Sequence, residues 1–345
     1  MARDGNGRHL PRGYGSSDAQ VLVARRDRAM DNKLYLGIDY GGNGVKLGLV
    51  DEAGQLAKRA SRRTVDLLDD AACRSFANAV AHFVRSEGLA PSDLGGVGLA
   101  IPGIAKDGAY STPNVKADWP RVLAELACAL GKDDVSVVND ANAAALGELW
   151  KGAGADAKSA LLVSIGSGLG AGLVVDGRVV AGFNGAAGEL GHVTVVPGGR
   201  PCSCGRDGCI ERYASARGLV LSFWEEDAAG QLDESLFGPH VPEHDTDSLA
   251  VYEAARAGDP RGLRAFAILA DKLGFALSQV ACMVDPDVFL IAGGLTAAAD
   301  LYLDDLRAAY RAYAFAACAG TDIRCAVLLD NAGTIGAARF AMQQG

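Results

Sequence analysis

Two segments of the chain share one pattern of apolar strands and glycine-rich turns. Residues 34–50 (LYLGIDYGGNGVKLGLV) predict an apolar strand, a glycine turn and a second strand, followed by a hairpin turn at 51–54. Residues 160–175 (ALLVSIGSGLGAGLVV) repeat this pattern, and residues 176–177 repeat the hairpin turn. The repeat indicates two similar domains. Strands mixed with helices in both halves predict an α/β class.

The rest of the pattern alternates between helical and short buried segments. Helices are predicted at 67–87, 120–130, 211–228, 248–283, 297–317 and 333–343. Buried strands are predicted at 96–100, 135–138 and 288–292. Residues 236–247, which contain two prolines and three acidic residues, predict a surface loop.

The two glycine turns are candidate anion sites. Consecutive backbone N–H groups can bind a phosphate without side-chain obstruction. The alternative is that the glycines only form tight hairpins. The candidate phosphate-binding residues are Gly41, Gly42, Asn43, Gly166, Ser167 and Gly168.

Two aspartates stand where predicted strands end. Asp39 stands two positions before Gly41-Gly42, so it can hold Mg²⁺ against bound phosphates. Lys46 on the next strand is a candidate charge partner, or simply a surface lysine. Asp140, in VVNDANAAALGE, follows a buried strand and begins a helix; it can accept a hydroxyl proton during phosphoryl transfer. The alternative is a helix N-cap by Asn139 or Asp140.

One histidine and three cysteines cluster in the segment 188–211 (GELGHVTVVPGGRPCSCGRDGCIE). His192, Cys202, Cys204 and Cys209 make a complete tetrahedral set for a structural zinc ion. The alternative is a disulfide plus a spare thiol. Two carboxylates, at the second and last positions of this segment, bracket the cluster, which suggests that the metal supports a neighbouring site.

Composition narrows the class of protein. The net charge of −9 and the lack of a long basic run argue against a nucleic-acid surface. No run of about 18 apolar residues occurs, so no membrane span is expected. Five scattered cysteines among apolar neighbours indicate a reducing, cytoplasmic setting.

Residues 1–31 lack a signal sequence and periodicity, so we expect a disordered tail or a non-native extension, with Met30 as an alternative start.

These motifs together resemble those of the ROK family (repressors, open reading frames and sugar kinases) of the actin-like/hexokinase-like ATPase superfamily. The resemblance runs from about Leu34 to Met342. It is carried by Asp39-Tyr-Gly-Gly, Ile101-Pro-Gly, Pro113-Asn114, Asn139-Asp140-Ala-Asn-Ala, Gly166-Ser-Gly-Leu-Gly, Gly188-Glu-Leu-Gly-His192, Cys202-x-Cys204-Gly-x-x-Gly-Cys209-x-Glu211 and Gly293-Gly294. It implies a duplicated ribonuclease H-like/actin-like ATPase fold with two domains around a central cleft. The smaller domain would be 33–138 plus about 330–345, and the larger one 139–329.

The resemblance also implies an activity and a set of roles. The chain would use ATP to phosphorylate a hexose, with Asp140 as the base that deprotonates the attacking hydroxyl. The positions that match sugar-binding residues are Asn114, Asn139, Asp140, Glu189, His192 and Glu211. The glycine turns would bind phosphate and Gly293-Gly294 the adenosine side. Zn²⁺ would be structural, and Mg²⁺ would accompany the nucleotide.

Several alternatives stay open at this point. Glucose, at its 6-hydroxyl, is the expected acceptor; N-acetylmannosamine, N-acetylglucosamine, mannose and allose are alternatives. The family usually has Thr where this chain has Asn43, and the GGNG-x-K run resembles that of polyphosphate-using glucokinases, so polyphosphate is an alternative donor. A regulator of the same family would need a helix-turn-helix domain, and only about 31 irregular residues precede Lys33. A non-catalytic sugar sensor is disfavoured by Asp39 and Asp140. Family members are often homodimers or homotetramers.

Overall fold

The structure is a computed structural model that describes residues 33–42, 44–106, 108–112, 115–228 and 247–345. Predictions for residues 1–31, for Asn43 and Asn114, and for nearly all of the 236–247 loop lie outside the described residues.

The first half of the chain forms a five-stranded mixed sheet. Its strands are β1 (Leu34–Tyr40), β2 (Val45–Asp51), β3 (Leu56–Arg62), β4 (Val97–Ile101) and β7 (Ser136–Asn139). Their order is β3-β2-β1-β4-β7; β1 to β3 are antiparallel neighbours, and β4 and β7 continue in parallel. Helices α1 (Asp70–Ser86) and α2 (Trp119–Leu130) pack on one face in a common apolar core. A short hairpin, β5 (Ile104–Lys106) and β6 (Ala109–Ser111), follows β4 in a region where the sequence analysis predicted no strand.

The second half repeats the arrangement. Its strands are β8 (Ala160–Ile165), β9 (Leu169–Val175), β10 (Arg178–Val179), β11 (Val288–Ala292) and β12 (Asp322–Cys325). The order β10-β9-β8-β11-β12 has the same sequence of antiparallel and parallel pairings as the first sheet. The glycine turns therefore join equivalent strands of two equivalent sheets, as the repeated pattern predicted.

Helices cover the second sheet on both faces. The helices of this half are α3 (Asp140–Lys151), α4 (Ala216–Ala228), α5 (Ser248–Arg256), α6 (Pro260–Val284) and α7 (Leu303–Tyr313). Residues of α4 to α7 share the large core on one face, and α3 packs on the other. Two predicted helices differ from the observed ones. The helix predicted at 248–283 is divided into α5 and α6, because Asp259 caps a new helix that has proline at its first position. The helix predicted at 211–228 starts later, since α4 begins only after a short 3-10 turn at Ile210–Arg212. The segment Gly294–Leu301 is 3-10 helix rather than the start of α7.

By length and composition alone, α6 is the one helix of the described residues that could cross a membrane. Eleven of its residues are nevertheless buried, and eight of these belong to the apolar core of the second half. A core helix passes the same test, so the finding is weak evidence for a span.

The last helix, α8 (Ala332–Gln344), returns to the first sheet and covers the face opposite α1 and α2. It approaches β1 so closely that a Cβ on Gly37 would lie 1.9 Å from the Thr334 carbonyl oxygen. It also crosses α3, where a Cβ on Gly336 would lie 1.6 Å from the Ala143 carbonyl oxygen. Only glycine permits these contacts, and they place α3 and α8 side by side between the two sheets.

Candidate active site

A cleft of about 730 Å³ is lined by residues of both sheets and of the α3–α8 pair. Eleven of the residues singled out from the sequence line it: Asp39, Lys46, Asn139, Asp140, Gly166, Gly168, Glu189, His192, Glu211, Gly293 and Gly294. Gly41, Gly42 and Ser167 belong to the same two turns but are not among the lining residues. The sequence thus predicted most of one connected site, although its members are spread over 256 positions of the chain.

The first glycine turn places Asp39 and Lys46 opposite each other on β1 and β2. Burial raises the pKa of Asp39, and the nearby Lys46 charge opposes this effect. The Asp39 carboxylate faces the first turn of α8, because a Cβ on Gly333 would lie 2.8 Å from its Oδ2. Lys46 Nζ also lies 3.0 Å from Asp330 Oδ1. A buried carboxylate oxygen beside a phosphate-binding turn suits a hard cation such as Mg²⁺.

Asn139 and Asp140 stand at the junction of β7 and α3. Asn139 is the N-cap: its Oδ1 accepts from Asn142 N at 2.9 Å, as the capping alternative predicted. Its Nδ2 donates to Gly103 O at 2.9 Å and to Asp140 Oδ1 at 3.1 Å. Because the amide is already engaged in this way, Asn139 orients the neighbouring carboxylate; its sugar-binding role stays a prediction.

Asp140 has the electrostatics of a general base. Its Oδ1 accepts from Ala141 N at 2.8 Å, and its Oδ2 has no hydrogen-bond partner among the described residues. Burial raises its pKa to about 6; the hydrogen bond from Ala141 opposes this, and the charges of Asp39 and Glu189 add to it. A carboxylate with such a pKa is still mainly ionised near neutral pH and is more basic than an ordinary aspartate.

The second glycine turn is held by Glu211. Its Oε2 accepts from Leu169 N at 3.0 Å, and a Cβ on Gly168 would lie 2.6 Å from the same oxygen. Gly293 adopts a φ of 88° and lies against the end of β8, where a Cβ would be 2.4 Å from Ile165 O. The Gly293-Gly294 segment and the second turn therefore meet at one end of the cleft. Glu189, by contrast, is exposed and has no side-chain hydrogen bond within the described residues.

The four predicted metal ligands converge. The ligand atoms of His192, Cys202, Cys204 and Cys209 all lie within 4.8 Å of one another. Cys202 Sγ is 3.8 Å from His192 Nδ1, and Cys204 Sγ is 3.6 Å from Cys209 Sγ. Zn–S bonds of 2.3 Å in a tetrahedron separate two sulfurs by about 3.8 Å, so the donors fit zinc. A disulfide would need S–S contact at about 2.05 Å, and all eight cysteines are free.

The ring of His192 connects this cluster to the cleft. Its Nδ1 faces the cysteines, and the residue also lines the cleft. Because the two ring nitrogens are distinct, Nδ1 can bind a metal while Nε2 stays available to a ligand.

The loop between His192 and Glu211 has a second anchor that the sequence did not predict. Arg200, whose side chain is 9% exposed, donates to Glu225 and Ser222 of α4 and to the carbonyls of Arg212 and Gly218. Its guanidinium also lies 4.4 Å from the centre of the Tyr213 ring. The loop is thus fastened to α4 even without a metal.

Asp330 was also missed, although it pairs with Lys46. The two residues are 284 positions apart, and no local pattern joins them. A weak signal existed: Asp330 stands three positions before the last predicted helix, near the helix end where an acidic residue is favoured by the helix dipole.

Two sheets of one topology, each opening with a glycine hairpin, define the duplicated ribonuclease H-like/actin-like ATPase fold, and the cleft lies between its halves. The sequence pattern of the ROK family matches residues 35–344. The chain belongs to the ROK family.

Individual relatives are similar over nearly their whole length. A glucokinase of Halalkalibacterium halodurans is 36% identical over 322 residues, which cover 91% of this chain and 97% of that protein. The crystal structure of a ROK hexokinase from Thermus thermophilus matches with a TM-score of 0.76 at 30% identity, over 90% of this chain and 98% of that one. A ROK glucokinase from Streptomyces griseus, in complex with glucose and AMPPNP, matches with a TM-score of 0.69 at 32% identity, over 90% of this chain and 99% of that one.

Proposed function

We propose that this protein is a sugar kinase that transfers the γ-phosphoryl group of ATP to a hexose, with glucose at its 6-hydroxyl as the principal acceptor. The observation that carries the proposal is the Asp140 carboxylate, which has one free oxygen and a raised pKa and lines the same cleft as Asp39, Lys46 and the second glycine turn. The similar glucokinases, one of them bound to glucose and an ATP analogue, support the choice of both substrates.

In this mechanism Asp140 Oδ2 accepts the proton of the attacking hydroxyl. Asn139 keeps the carboxylate oriented through its Nδ2, and Glu189, His192 and Glu211 bind the remaining sugar hydroxyls. Phosphoryl transfer needs alignment and charge neutralisation more than covalent help. Lys46 supplies a positive charge to the phosphates, and the backbone N–H groups of the two turns donate hydrogen bonds to them. Asp39 would hold Mg²⁺, which neutralises phosphate charge when bound.

The metal cluster gives the sugar side of the cleft its shape. We propose that His192, Cys202, Cys204 and Cys209 bind one Zn²⁺, which is structural because four protein ligands leave no open position. His192 would hold the ion through Nδ1, which faces the cysteines, and its Nε2 would stay available to a sugar hydroxyl. His192 and Glu211 then present their polar atoms at a constant separation.

The cleft would close by movement of two domains. We propose the boundaries 33–138 plus about 330–345 and 139–329, which are supported by the packing of α8 on the first sheet. Closure excludes water and limits hydrolysis of ATP. The assembly is proposed to be a homodimer or homotetramer, which light scattering of the purified protein would measure.

A coupled assay of the purified protein tests the proposal. Hexoses, including the N-acetylated ones, are compared with ATP and with polyphosphate as donors. We expect the highest kcat/KM for glucose with ATP. Asp140→Asn should abolish turnover and leave hexose binding intact in calorimetry. Absence of turnover with every hexose and both donors would refute the kinase proposal, and an active Asp140→Asn variant would remove Asp140 as the base.

A further inference from the structure

Glu148 is a buried carboxylate that no step of the proposed reaction uses. It lies on α3, two turns after Asp140, and has none of its surface exposed. Among the described residues it forms no ion pair with lysine or arginine. Its oxygens instead accept from backbone N–H groups of two separate segments: Ala153 N lies 2.9 Å from Oε2, and Val327 N and Leu328 N lie 3.0 and 2.6 Å from Oε1.

The segment 326–331, which joins β12 to α8, is held by packing only in part. Ala326 is buried and Leu328 packs against the apolar cluster of Val50, Ile335 and Ala338. Val327 and Leu329 are 61% and 70% exposed, and the side chain of Asp330 is 88% exposed. Side-chain burial therefore contributes little to the path at these three positions. Leu329 moreover adopts a φ of 49°, which L-residues rarely adopt without outside support. The Glu148 carboxylate supplies support by satisfying two consecutive N–H groups, directly before Leu329.

The same segment forms the donor side of the cleft. Leu329 and Asp330 line it, and Asp330 forms the ion pair with Lys46 that stands beside Asp39. Asp140, at the start of α3, and Glu148, farther along it, are parts of one rigid helix. Glu148 thus connects α3, the helix of the proposed base Asp140, to segment 326–331 on the side of the cleft proposed to bind the phosphates.

We propose that Glu148 is a positioning residue for the phosphoryl donor, which holds segment 326–331 at a fixed place relative to Asp140. The inference rests on the proposed kinase function. Hydrogen bonds from N–H groups to a charged acceptor are strong. Glu148 needs both carboxylate oxygens, because Oε2 accepts from Ala153 N and Oε1 accepts from Val327 N and Leu328 N. A change at this position should therefore affect use of the nucleotide and leave hexose affinity unchanged.

Glu148→Gln tests the proposal, because it keeps the length of the side chain and replaces one acceptor with an NH₂ group that faces N–H donors. We expect kcat/KM for ATP to fall by about tenfold or more, since misplacement near the reacting groups is costly, and the hexose Kd to stay within about threefold. Glu253→Gln is the matched control, because Glu253 is exposed and its side chain forms no hydrogen bond or ion pair with described residues. Unchanged ATP kinetics in Glu148→Gln, or a parallel loss of hexose affinity, would overturn the proposal.

A double-mutant cycle with Asp330→Asn shows whether Glu148 acts through the segment. If it does, the loss in the double variant is smaller than the product of the two single losses; independent losses multiply and would contradict the proposal.

Hydrogen exchange of the unmodified protein covers the case in which Glu148→Gln does not fold. We expect the amides of Val327 and Leu328 to exchange slowly, although Val327 itself is largely exposed, and more slowly still with AMPPNP bound. Fast exchange of both amides would overturn the inference even if the protein is an active kinase. Protected amides in a protein that phosphorylates no hexose would instead refute the proposed function.

Discussion

Asp140→Asn should make the protein more stable at alkaline pH while it abolishes turnover. Burial raises the pKa of Asp140 from 3.8 to about 6, helped by the charges of Asp39 and Glu189. Each pKa unit corresponds to ~1.4 kcal/mol, so the ionised carboxylate lowers the free energy of unfolding by about 3 kcal/mol at a pH well above 6. Asparagine keeps an oxygen for the N–H of Ala141 and carries no charge.

The sign of the pH dependence follows from the direction of the pKa change. A carboxyl group whose pKa is raised in the folded state favours folding while it is protonated, and this contribution is lost as the pH rises from about 4 through about 6. The gain from Asp140→Asn should therefore be about 3 kcal/mol at pH 8 and about half of that at pH 5. The substitution should have a small effect near pH 4.

Denaturant unfolding of both proteins at pH 5 and pH 8 measures this difference. Asp133→Asn is the control, because Asp133 is exposed and its side chain forms no hydrogen bond or ion pair with described residues. The effect of this substitution on stability should not depend on pH. Zinc content is determined at both pH values, so that loss of metal is not mistaken for the effect. A gain that is equal at both pH values, or an Asp140→Asn protein that is less stable at pH 8, would refute the reasoning.

Three further predictions concern the same cleft. The kcat/KM for the hexose should fall below about pH 6 as Asp140 becomes protonated. Glu189→Gln should move this acidic limb of the pH profile to lower pH, because the Glu189 charge raises the pKa of Asp140. An acidic limb that does not move would contradict the electrostatic coupling of Glu189 to Asp140. Arg200→Met should speed loss of zinc to a chelator, because the hydrogen bonds to α4 are lost. The same substitution should raise the hexose KM several-fold with little change in the ATP KM. Arg256→Met, at an exposed ion pair, is the control. Cys204→Ser should reduce bound zinc from one ion per chain and weaken hexose binding in calorimetry, whereas unchanged affinity in metal-free protein would separate the metal from the sugar site.

The cleft residues that the sequence predicted belong to motifs of residues that are close together in the sequence. A glycine hairpin, an asparagine before an aspartate at a helix start, and a histidine with three cysteines each fit within about two dozen residues. The repeat of the hairpin then predicted two equivalent sheets, since the same local pattern forms the same local structure. Even the break before α6 had a readable signal in Asp259-Pro260, an N-cap followed by proline.

The parts that were missed depend on contacts between distant segments. Glu148 accepts from residues 179 and 180 positions later, and Lys46 meets Asp330 across 284 positions. A glutamate within a helix and an aspartate in a loop have many ordinary uses on a surface, so the local sequence distinguishes Glu148 and Asp330 only weakly. The β5–β6 hairpin escaped prediction for another reason: its three-residue strands are half exposed and carry no apolar alternation.

The return of α8 to the first sheet governs the order in which the protein can fold during synthesis. Strands β1 to β4 leave the ribosome early, but the face that carries Gly37 stays bare until the final thirteen-residue helix emerges. The amino-terminal half must therefore wait for nearly the whole polypeptide, whereas the second sheet has all its strands by Cys325. A stop codon just before Ala332 would accordingly uncover both the first sheet at Gly37 and the face of α3 at Ala143.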